Sequence, residues 1–234
     1  MKEKKFFIFD LDGTLLDNTQ IGFARVNKNL DLLGLPPIDT DFLRQHWGMP
    51  AKNLWELICK EVGATYEQQN SFQTSDVYLS KEKLHSPELS AALTNAIIRL
   101  KNFGLFIGIL TSRTGLSLEA VVRQTGLPID MFDYVQTLSH FPHHKPSGRV
   151  FGPVFNWARV KALSSRNIVY FGDTVKYDYA ATQDSDPRID FVGVVSGVNT
   201  YEEFLAAGLP TCRITSFEKF PDFLHHTIKD LVEA

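Results

Sequence analysis

The sequence has few cysteines and no long apolar run. Its 234 residues include only Cys59 and Cys212, too few for a disulfide framework or a cysteine-based zinc site. No apolar stretch approaches the roughly 20 residues that span a bilayer. The apolar run near the first residues is also too short for a secretion signal. These absences predict a soluble, cytoplasmic protein that does not contact a membrane.

The sequence also lacks a large excess of positive or negative charge. Lys and Arg number 24 and Asp and Glu number 27, which gives a formal net charge of −3. Because nucleic-acid-binding domains are typically basic, the sequence predicts no nucleic-acid partner. Small anionic ligands stay open, since a local pocket can be positive on an acidic protein. With 44% hydrophobic and 12% aromatic residues, the chain can build a substantial core.

Short apolar runs alternate with helical patterns along most of the chain. Four runs have the composition of buried parallel strands, at residues 6–9, 105–110, 168–171 and 191–195. Helical periodicity follows them at residues 116–124, 154–163, 175–183 and 202–207. This alternation predicts an α/β fold with a Rossmann-like parallel sheet that is covered on both faces.

A helical insertion separates the first two predicted strands. Residues 18–85 show helical periodicity and no convincing strand. Ser86 is a good helix N-cap, and Pro87 suits the first turn of a helix that leads back into the sheet. We therefore predict an α/β core formed by residues 1–17 and 86–234, with residues 18–85 as a helical cap.

Polar and charged side chains follow the predicted strands. They are Asp10 and Asp12 after the first strand, Thr111 and Ser112 after the second, Lys145 in the next connection, and Asp173 and Asp178 after the third. Ligands of open parallel sheets bind beyond the carboxyl ends of the strands. We therefore expect these groups to share one site.

Asp10 and Asp12 are two residues apart, so both side chains can project to one side of an extended segment. Two such carboxylates repel each other unless a cation lies between them, and Mg²⁺ accepts a few carboxylates. Asp173 is a candidate for a further ligand, and Asp178 would face the metal or brace a water. The alternative is that Asp12-Gly13 is only a turn and Asp10 only a cap.

Thr111 and Ser112 offer a hydroxyl and backbone N–H groups that could hold a phosphate at a helix start, and Lys145 offers a point charge. Each has an ordinary alternative: a helix cap for the first two residues and a solvated side chain for the lysine. For Asp178 the alternative is an exposed acidic residue early in a helix. His143 and His144 are best interpreted as surface histidines, with substrate contact as the second reading.

Four segments, taken in this order, resemble the motifs of the haloacid dehalogenase-like (HAD) superfamily. They are Phe9-Asp10-Leu11-Asp12-Gly13-Thr14-Leu15, Leu110-Thr111-Ser112, Lys145-Pro146 and Gly172-Asp173-Thr174-Val175-Lys176-Tyr177-Asp178. The helical insertion is similar to the cap of the phosphoglycolate phosphatase and β-phosphoglucomutase subgroup. The resemblance implies a Mg²⁺-dependent phosphatase that acts on a small phosphorylated metabolite. It leaves the oligomeric state open.

The same resemblance implies a role for each motif. Asp10 would attack phosphorus and form an aspartyl-phosphate, and Asp12 would act as general acid and then base. The second carboxylate favours phosphoester chemistry over the cleavage of carbon–halogen bonds. The metal ligands would be Asp10, the backbone carbonyl of Asp12 and Asp173, with Asp178 near or in the coordination shell. The phosphate oxygens would be held by Thr111, Ser112 and Lys145.

Substrate selection is expected to lie in the cap. Gly48 and Lys52 resemble the specificity loop of relatives, and Arg25, Lys28 and Arg44 are further candidates for a second anionic group of the substrate. Each of these cations could equally be an ordinary solvated charge on a helix. Two other functions stay open, a phosphomutase on the same scaffold and a non-catalytic binding module.

Overall fold

The computed structural model describes residues 3–71 and 89–232, and its centre is a six-stranded sheet. The strand order is β3-β2-β1-β4-β5-β6, and every pairing is parallel. The strands are β1 (Phe6–Phe9), β2 (Phe106–Leu110), β3 (Tyr134–Gln136), β4 (Ile168–Gly172), β5 (Asp190–Val195) and β6 (Ile214–Ser216). This is the Rossmann strand order, so the predicted α/β class with a parallel sheet is confirmed.

Helices cover the sheet and form the segment between β1 and β2. They are α1 (Thr19–Leu32), α2 (Thr40–His46), α3 (Ala51–Glu61), α4 (of which residues 66–71 are described), α5 (Ala91–Asn102), α6 (Gly115–Thr125), α7 (Gly152–Val160), α8 (Ala180–Asp184), α9 (Tyr201–Ala206) and α10 (Phe220–Val232). In the part of the chain that is described, none of them has the length and apolar character needed to cross a bilayer.

The unbroken apolar run of β1 has a simple cause, because both faces of this strand are buried. Phe7 and Phe9 pack into the apolar cluster formed with α5, α6 and α10, while Phe6 and Ile8 pack into the cluster under α7, α8 and α9. All four side chains are fully buried. A strand covered on both faces has no solvent-facing position, so its sequence does not alternate between apolar and polar residues.

The helices α1, α2 and α3 share an apolar cluster of their own. Its fully buried members include Leu30, Leu43 and Ile58. The proposed cap boundary at residue 85 stays a prediction, because residues 72–88 lie outside the described residues. Ser86 and Pro87 fall in the same interval. The described part of α5 begins at Ala91, and the Ser90 hydroxyl oxygen accepts a hydrogen bond from the backbone N–H of Leu93 at 3.1 Å.

Two helical patterns differ in detail from their prediction. The cap of α6 is Thr114, whose side chain accepts from the backbone N–H of Ser117. Thr111 and Ser112 therefore precede the helix instead of forming its start. The pattern predicted over 175–183 divides into a π-helical turn, Val175–Tyr179, and the short helix α8.

Three elements were not predicted from the sequence. The strands β3 and β6 contain three residues each and lie at the two edges of the sheet, so they are too short to show periodicity. The helix α10 did carry a signal, because Phe220, Leu224 and Ile228 repeat every four residues and all three are buried. Pro221 at the start of this helix is a further signal of a helix N-terminus.

The helix α10 is expected to stabilise the core through Phe220. Its ring lies 6.1 Å from the ring of Phe9 and 5.5 Å from that of Phe171. We expect Phe220→Ala to lower the free energy of unfolding by about 3–5 kcal/mol, measured as a lower urea midpoint at an unchanged slope. Phe103→Ala is the matched control, because Phe103 is half exposed and should cost less than about 1 kcal/mol. Equal losses would contradict this account of α10.

Candidate active site

The site lies where the strand order reverses, beyond the carboxyl ends of β1 and β4. Asp10 comes directly after β1 and Asp173 directly after β4. The backbone N–H of Asp10 donates to the carbonyl of Phe171 at 2.8 Å, so the two strand ends remain joined up to the first acidic residue. Ligands of open α/β sheets bind in the crevice at this topological position.

Lys145 is buried at the centre of the site and has three hydrogen-bond partners. Its Nζ lies 2.9 Å from Asp10 Oδ1, 2.6 Å from Asp178 Oδ1 and 3.1 Å from the hydroxyl of Tyr170. Only 2% of the lysine is exposed, so the alternative of a solvated side chain is wrong. Burial acts to lower the pKa of Lys145, but the charges of Asp10 and Asp178 outweigh it and raise this pKa above its usual value.

Asp178 is held from several sides. Its Oδ1 accepts from Lys145 and from the hydroxyl of Tyr170 at 2.8 Å. Its Oδ2 accepts from the backbone N–H of Thr174 at 3.0 Å and from the hydroxyl of the same threonine. The alternative of an exposed acidic residue is wrong, because Asp178 is 1% exposed. Both carboxylate oxygens are engaged, which fixes the position of Lys145.

Asp10, Asp173 and Asp178 form a cluster of buried carboxylates. One oxygen from each lies within 4.8 Å of the others. Burial raises the pKa of Asp10 to about 7, with the charges of Asp178 and Asp12 acting in the same direction and Lys145 against them. Burial, followed by the charges of Asp178 and Asp10, also raises the pKa of Asp173 well above its usual value. Three carboxylates around one lysine leave an excess of two negative charges when all are ionised.

The cluster fits a divalent cation. Its donor set consists of hard carboxylate oxygens, which suit Mg²⁺-type ions, and its charge excess matches their charge. The backbone next to Asp12 also approaches the cluster. A Cβ atom at Gly13 would lie 2.2 Å from Asp173 Oδ2, and Gly13 has a φ of +73°. Only glycine allows this close approach between the turn after β1 and the carboxylate after β4.

Asp12 has a different set of partners from Asp10. Its Oδ2 accepts from Arg113 Nε at 2.7 Å, and its Oδ1 accepts from Arg113 Nη2 at 2.7 Å and from the Asn18 amide. Burial acts to raise the pKa of Asp12, but the charge and hydrogen bonds of Arg113, together with Asn18, hold this pKa below its usual value. The two carboxylates that the sequence suggested as a pair therefore lie in two electrostatic environments.

Four residues at the site are not predicted by the sequence motifs: Arg113, Asn18, Tyr170 and Thr174. Arg113 carried a signal, because a cation directly follows the Thr111-Ser112 motif. Tyr170 lies within β4, where the sequence indicates only an apolar strand. Thr174 follows Asp173, where the sequence indicates only a helix cap. Their contacts with Asp178 come from the folded arrangement, which the sequence spacing does not reveal.

Thr111 and Ser112 both lie at the site. Thr111 is 5% exposed, and its hydroxyl accepts from the backbone N–H of Arg113 at 3.2 Å. The Ser112 hydroxyl donates to the carbonyl of Gly48 at 3.1 Å. Ser112 thus connects the end of β2 to the helical segment, and the phosphate-binding roles of both residues stay predictions.

The helical segment reaches the edge of the site through the end of α2 and the loop after it. Gly48, with φ of +103°, packs so closely that an added Cβ would lie 2.9 Å from the ring of Tyr177. Arg44 Nε donates to the carbonyl of Val198 at 3.1 Å, and Lys176 Nζ donates to the carbonyl of Gln45 at 3.0 Å. Gly48 therefore lies against Tyr177 and Ser112, and its role in substrate selection stays a prediction.

Two other predicted substrate residues, Lys52 and Arg25, lie on α3 and α1. The side chain of Lys52 is 74% exposed and lies 3.9 Å from Glu56 on the same helix, as expected for an ordinary solvated charge. Arg25 lies half-buried in α1. A substrate role for either residue stays a prediction without support from these contacts.

His143 and His144 are partly exposed, so their interpretation as surface histidines and the alternative of substrate contact both stay predictions. His144 Nδ1 lies 2.9 Å from the carbonyl of Lys145. Both histidines line a small cavity together with Thr111, Ser112 and Lys145. They thus lie beside the cluster, with their role in substrate contact still open.

Residues 7–194 match the family model of the haloacid dehalogenase-like hydrolases. The chain therefore belongs to this family of enzymes, as its motifs predict. A curated relative, the phosphoglycolate phosphatase of Colwellia psychrerythraea, is 25% identical over 232 residues, which covers 96% of this chain and 97% of the relative. The predicted enzyme class agrees with this relative.

Solved structures share the whole fold. A protein predicted to be a phosphoglycolate phosphatase, from Haemophilus somnus 129PT, superposes with a TM-score of 0.74 at 20% identity, covering 97% of this chain and 99% of that one. A Thermotoga maritima protein assigned as a β-phosphoglucomutase gives a TM-score of 0.71 at 18% identity over the same shares. At these identities the likeness concerns the fold, and it spans both the sheet and the helical segment.

The carboxylate cluster predicts a stabilising response to magnesium that does not depend on turnover. At about 100 times its Kd, Mg²⁺ should add about 2.7 kcal/mol, a rise in Tm of roughly 5–10 °C for a chain of this size. We expect Asp173→Asn to lose most of this rise. An equal rise in both proteins would contradict a metal site at Asp173.

Without magnesium, Asp10→Asn should raise Tm, because it neutralises one of three mutually repelling buried carboxylates. The pKa of Asp10 lies at about 7 in the folded protein against the usual 3.8. Its contribution to stability is therefore present below the unfolded pKa and lost as pH rises through about 7. The gain from Asp10→Asn should be larger at about pH 8 than at about pH 5, measured by thermal melts in a chelator. Asp130→Asn, an exposed site, is the control.

Proposed function

We propose that this hydrolase is a Mg²⁺-dependent phosphatase that cleaves small phosphate monoesters through an aspartyl-phosphate on Asp10. One observation carries the proposal: Asp10, Asp173 and Asp178 form a buried cluster beyond the carboxyl ends of β1 and β4, and two of them, Asp10 and Asp178, pair with the buried Lys145. A phosphoryl-transfer site needs a fixed nucleophile, a fixed cation for the phosphate oxygens and ligands for a divalent metal. The cluster contains side chains suited to each of these tasks.

In the first half of the reaction, Asp10 is the nucleophile. A carboxylate oxygen of Asp10 attacks phosphorus, and the bond from phosphorus to the alcohol oxygen breaks. Asp12, which must first take up a proton because Arg113 holds its pKa low, gives that proton to the departing alcohol, so that no alkoxide is released. The products of this half are the free alcohol, the phosphorylated Asp10 and an ionised Asp12.

In the second half, Asp12 acts as the base. It takes a proton from a water molecule, and the oxygen of this water attacks phosphorus. The bond between phosphorus and Asp10 then breaks, which releases inorganic phosphate and restores the carboxylate. Asp12 is again protonated, so the cycle is balanced with one water consumed for each ester cleaved.

Lys145 and the magnesium ligands stabilise the charge of the transferring group. Held by Tyr170 and Asp178, Lys145 directs its ammonium group to the side of Asp10 where phosphate oxygens would lie. Asp10, Asp173 and the backbone carbonyl of Asp12 are the proposed metal ligands. Bound Mg²⁺ would supply charge neutralisation and orientation of the phosphate. The engaged oxygens of Asp178 favour a role in holding Lys145 over direct ligation.

The substrate is proposed at the level of its chemical class, a small phosphorylated metabolite. The curated relative makes 2-phosphoglycolate the first compound to test. The phosphomutase alternative has no contact among the described residues that favours it. A non-catalytic module would need neither a buried nucleophile nor a fixed acid, and Asp10 and Asp12 are suited to these two roles. We also propose a cytoplasmic location, because Cys59 and Cys212 are both free thiols and disulfides are rare in that compartment.

The proposal predicts magnesium-dependent release of phosphate by the purified protein. A panel of phosphate monoesters that includes 2-phosphoglycolate should be hydrolysed, with loss of activity in a chelator and recovery when Mg²⁺ is added. Asp10→Asn should lower kcat by roughly 10⁴-fold or more, because it removes the nucleophile. Asp12→Ala should trap a phosphoryl group on the peptide that contains Asp10, detected by mass spectrometry.

The control for these variants is Asp130→Asn, which makes the same chemical change at an exposed position and should keep full activity. Isomerisation of a sugar phosphate without net release of phosphate would instead support the mutase. Identical behaviour of the unmodified protein and Asp10→Asn on every ester would contradict the proposal and favour a binding module.

A further inference from the structure

Arg113 and Asp12 form a two-pronged ion pair beside the carboxylate cluster. Nε and Nη2 of the guanidinium each donate to a different oxygen of Asp12, both at 2.7 Å. Each side chain retains about a quarter of its exposure. Two parallel hydrogen bonds between a planar guanidinium and a planar carboxylate fix both the distance and the rotation of the carboxylate plane.

The guanidinium itself is anchored on the core. Its Nη1 donates to the Ser117 hydroxyl in α6 at 2.9 Å, and the carbonyl of Arg113 accepts from the backbone N–H of Leu138 at 2.8 Å. The backbone N–H of Arg113 donates to the hydroxyl oxygen of Thr111. The side chain is thus positioned by the loop after β2, the start of α6 and the loop after β3.

Asn18 completes the arrangement from the other side. Its amide nitrogen donates to Asp12 Oδ1, and its amide oxygen accepts from the backbone N–H of Gly13 at 3.3 Å. Asn18 also lies directly before α1. The carboxylate of Asp12 is consequently held between Arg113, which follows β2 of the sheet, and Asn18, which directly precedes the first helix.

We propose that Arg113 is the positioning residue of Asp12, and that it holds this carboxylate in the orientation from which it exchanges a proton with the leaving alcohol and with water. This inference rests on the proposed phosphatase function. Proton transfer requires a donor placed within hydrogen-bond reach of the reacting oxygen, and small misplacements cost large factors in rate. Arg113 acts through Asp12 and need not touch the substrate.

The planar fork is the property that matters in this role. A lysine at position 113 would keep the positive charge but could not hold both oxygens of Asp12 in one plane. A methionine would keep much of the volume of the arginine stem and remove both hydrogen bonds. The pair Arg113→Lys and Arg113→Met therefore separates the contribution of the charge from that of the geometry.

The test uses two esters that differ in their need for a proton. The alcohol leaving from an alkyl phosphate must be protonated, whereas p-nitrophenolate leaves without a proton. We measure kcat and KM with p-nitrophenyl phosphate and with the alkyl monoester that the unmodified protein hydrolyses fastest. Comparison of kcat/KM isolates the steps up to release of the leaving group.

For Arg113→Met we expect kcat/KM with the alkyl ester to fall about 100-fold, through kcat and with KM unchanged. With p-nitrophenyl phosphate it should change little. Arg113→Lys should recover only part of the loss. Asp12→Asn should show the same dependence on the leaving group, and adding Arg113→Met to it should cause little further loss, because both changes remove one function.

Lys101→Met is the matched control. Lys101 Nζ lies 2.5 Å from Asp133 Oδ1 in an ion pair of similar exposure, and Asp133 caps the backbone N–H of Ile107 at the start of β2. This pair lies at the amino-terminal ends of β2 and β3, whereas the site lies beyond the carboxyl ends of β1 and β4. Its loss should leave both esters unaffected, and thermal melts establish that each variant is folded.

Three results would overturn the inference. Equal loss of kcat/KM with both esters would indicate a structural role for Arg113. A rise in KM with unchanged kcat would indicate that the arginine binds the substrate. Full activity of Arg113→Met on the alkyl ester would show that Asp12 needs no such support. If the unmodified protein hydrolyses neither ester, the proposed function fails first, and the inference falls with it.

Discussion

Confinement of three carboxylates around one ammonium group is the constraint on which the site depends. Asp10 and Asp173 directly follow β1 and β4, Asp178 lies in the helical turn after β4, and among the described residues Lys145 is the cation paired with this cluster. Buried charge of this kind requires proton uptake or a cation. The hydroxyl of Tyr170 donates a hydrogen bond to Asp178 but carries no charge. The excess of negative charge in the cluster therefore remains for a bound cation to neutralise.

Asp10 and Asp12 are separated by one residue, yet their surroundings shift their pKa values in opposite directions. Burial and neighbouring carboxylates raise the pKa of Asp10, whereas Arg113 and Asn18 hold the pKa of Asp12 low. A divalent cation beside Asp10 would lower its pKa and leave it ionised, as a nucleophile must be. The low pKa suits Asp12 to its proposed role as the base towards water, and it means that Asp12 must take up a proton before it can act as the acid towards the leaving alcohol.

The chemistry at the strand ends was more predictable than the contacts that tune it. The apolar run before Asp10 and the turn at Gly13 after it mark a buried strand and its end, and these features are local in sequence. The ion pair between Asp12 and Arg113 joins residues 101 positions apart, and the Ser112–Gly48 contact joins two separate parts of the fold. The first of these contacts depends on the pairing of β1 with β2, and the second on the contact of the helical segment with the sheet domain. No local sequence pattern specifies either one. The edge strand β3 was not predicted for a different reason, because three residues are too few to show a periodic pattern.

The close approach of Gly13 to Asp173 has a consequence for how this protein tolerates mutation. Any side chain at position 13 meets a carboxylate oxygen at 2.2 Å and must also adopt a φ of +73°. A saturation scan would therefore score this position as severely as a residue that performs chemistry, although glycine contributes no reactive group. Substitutions at position 13 are not tolerated because an added side chain would collide with Asp173. A ranking of residues by mutational sensitivity alone would therefore wrongly assign a chemical role to Gly13.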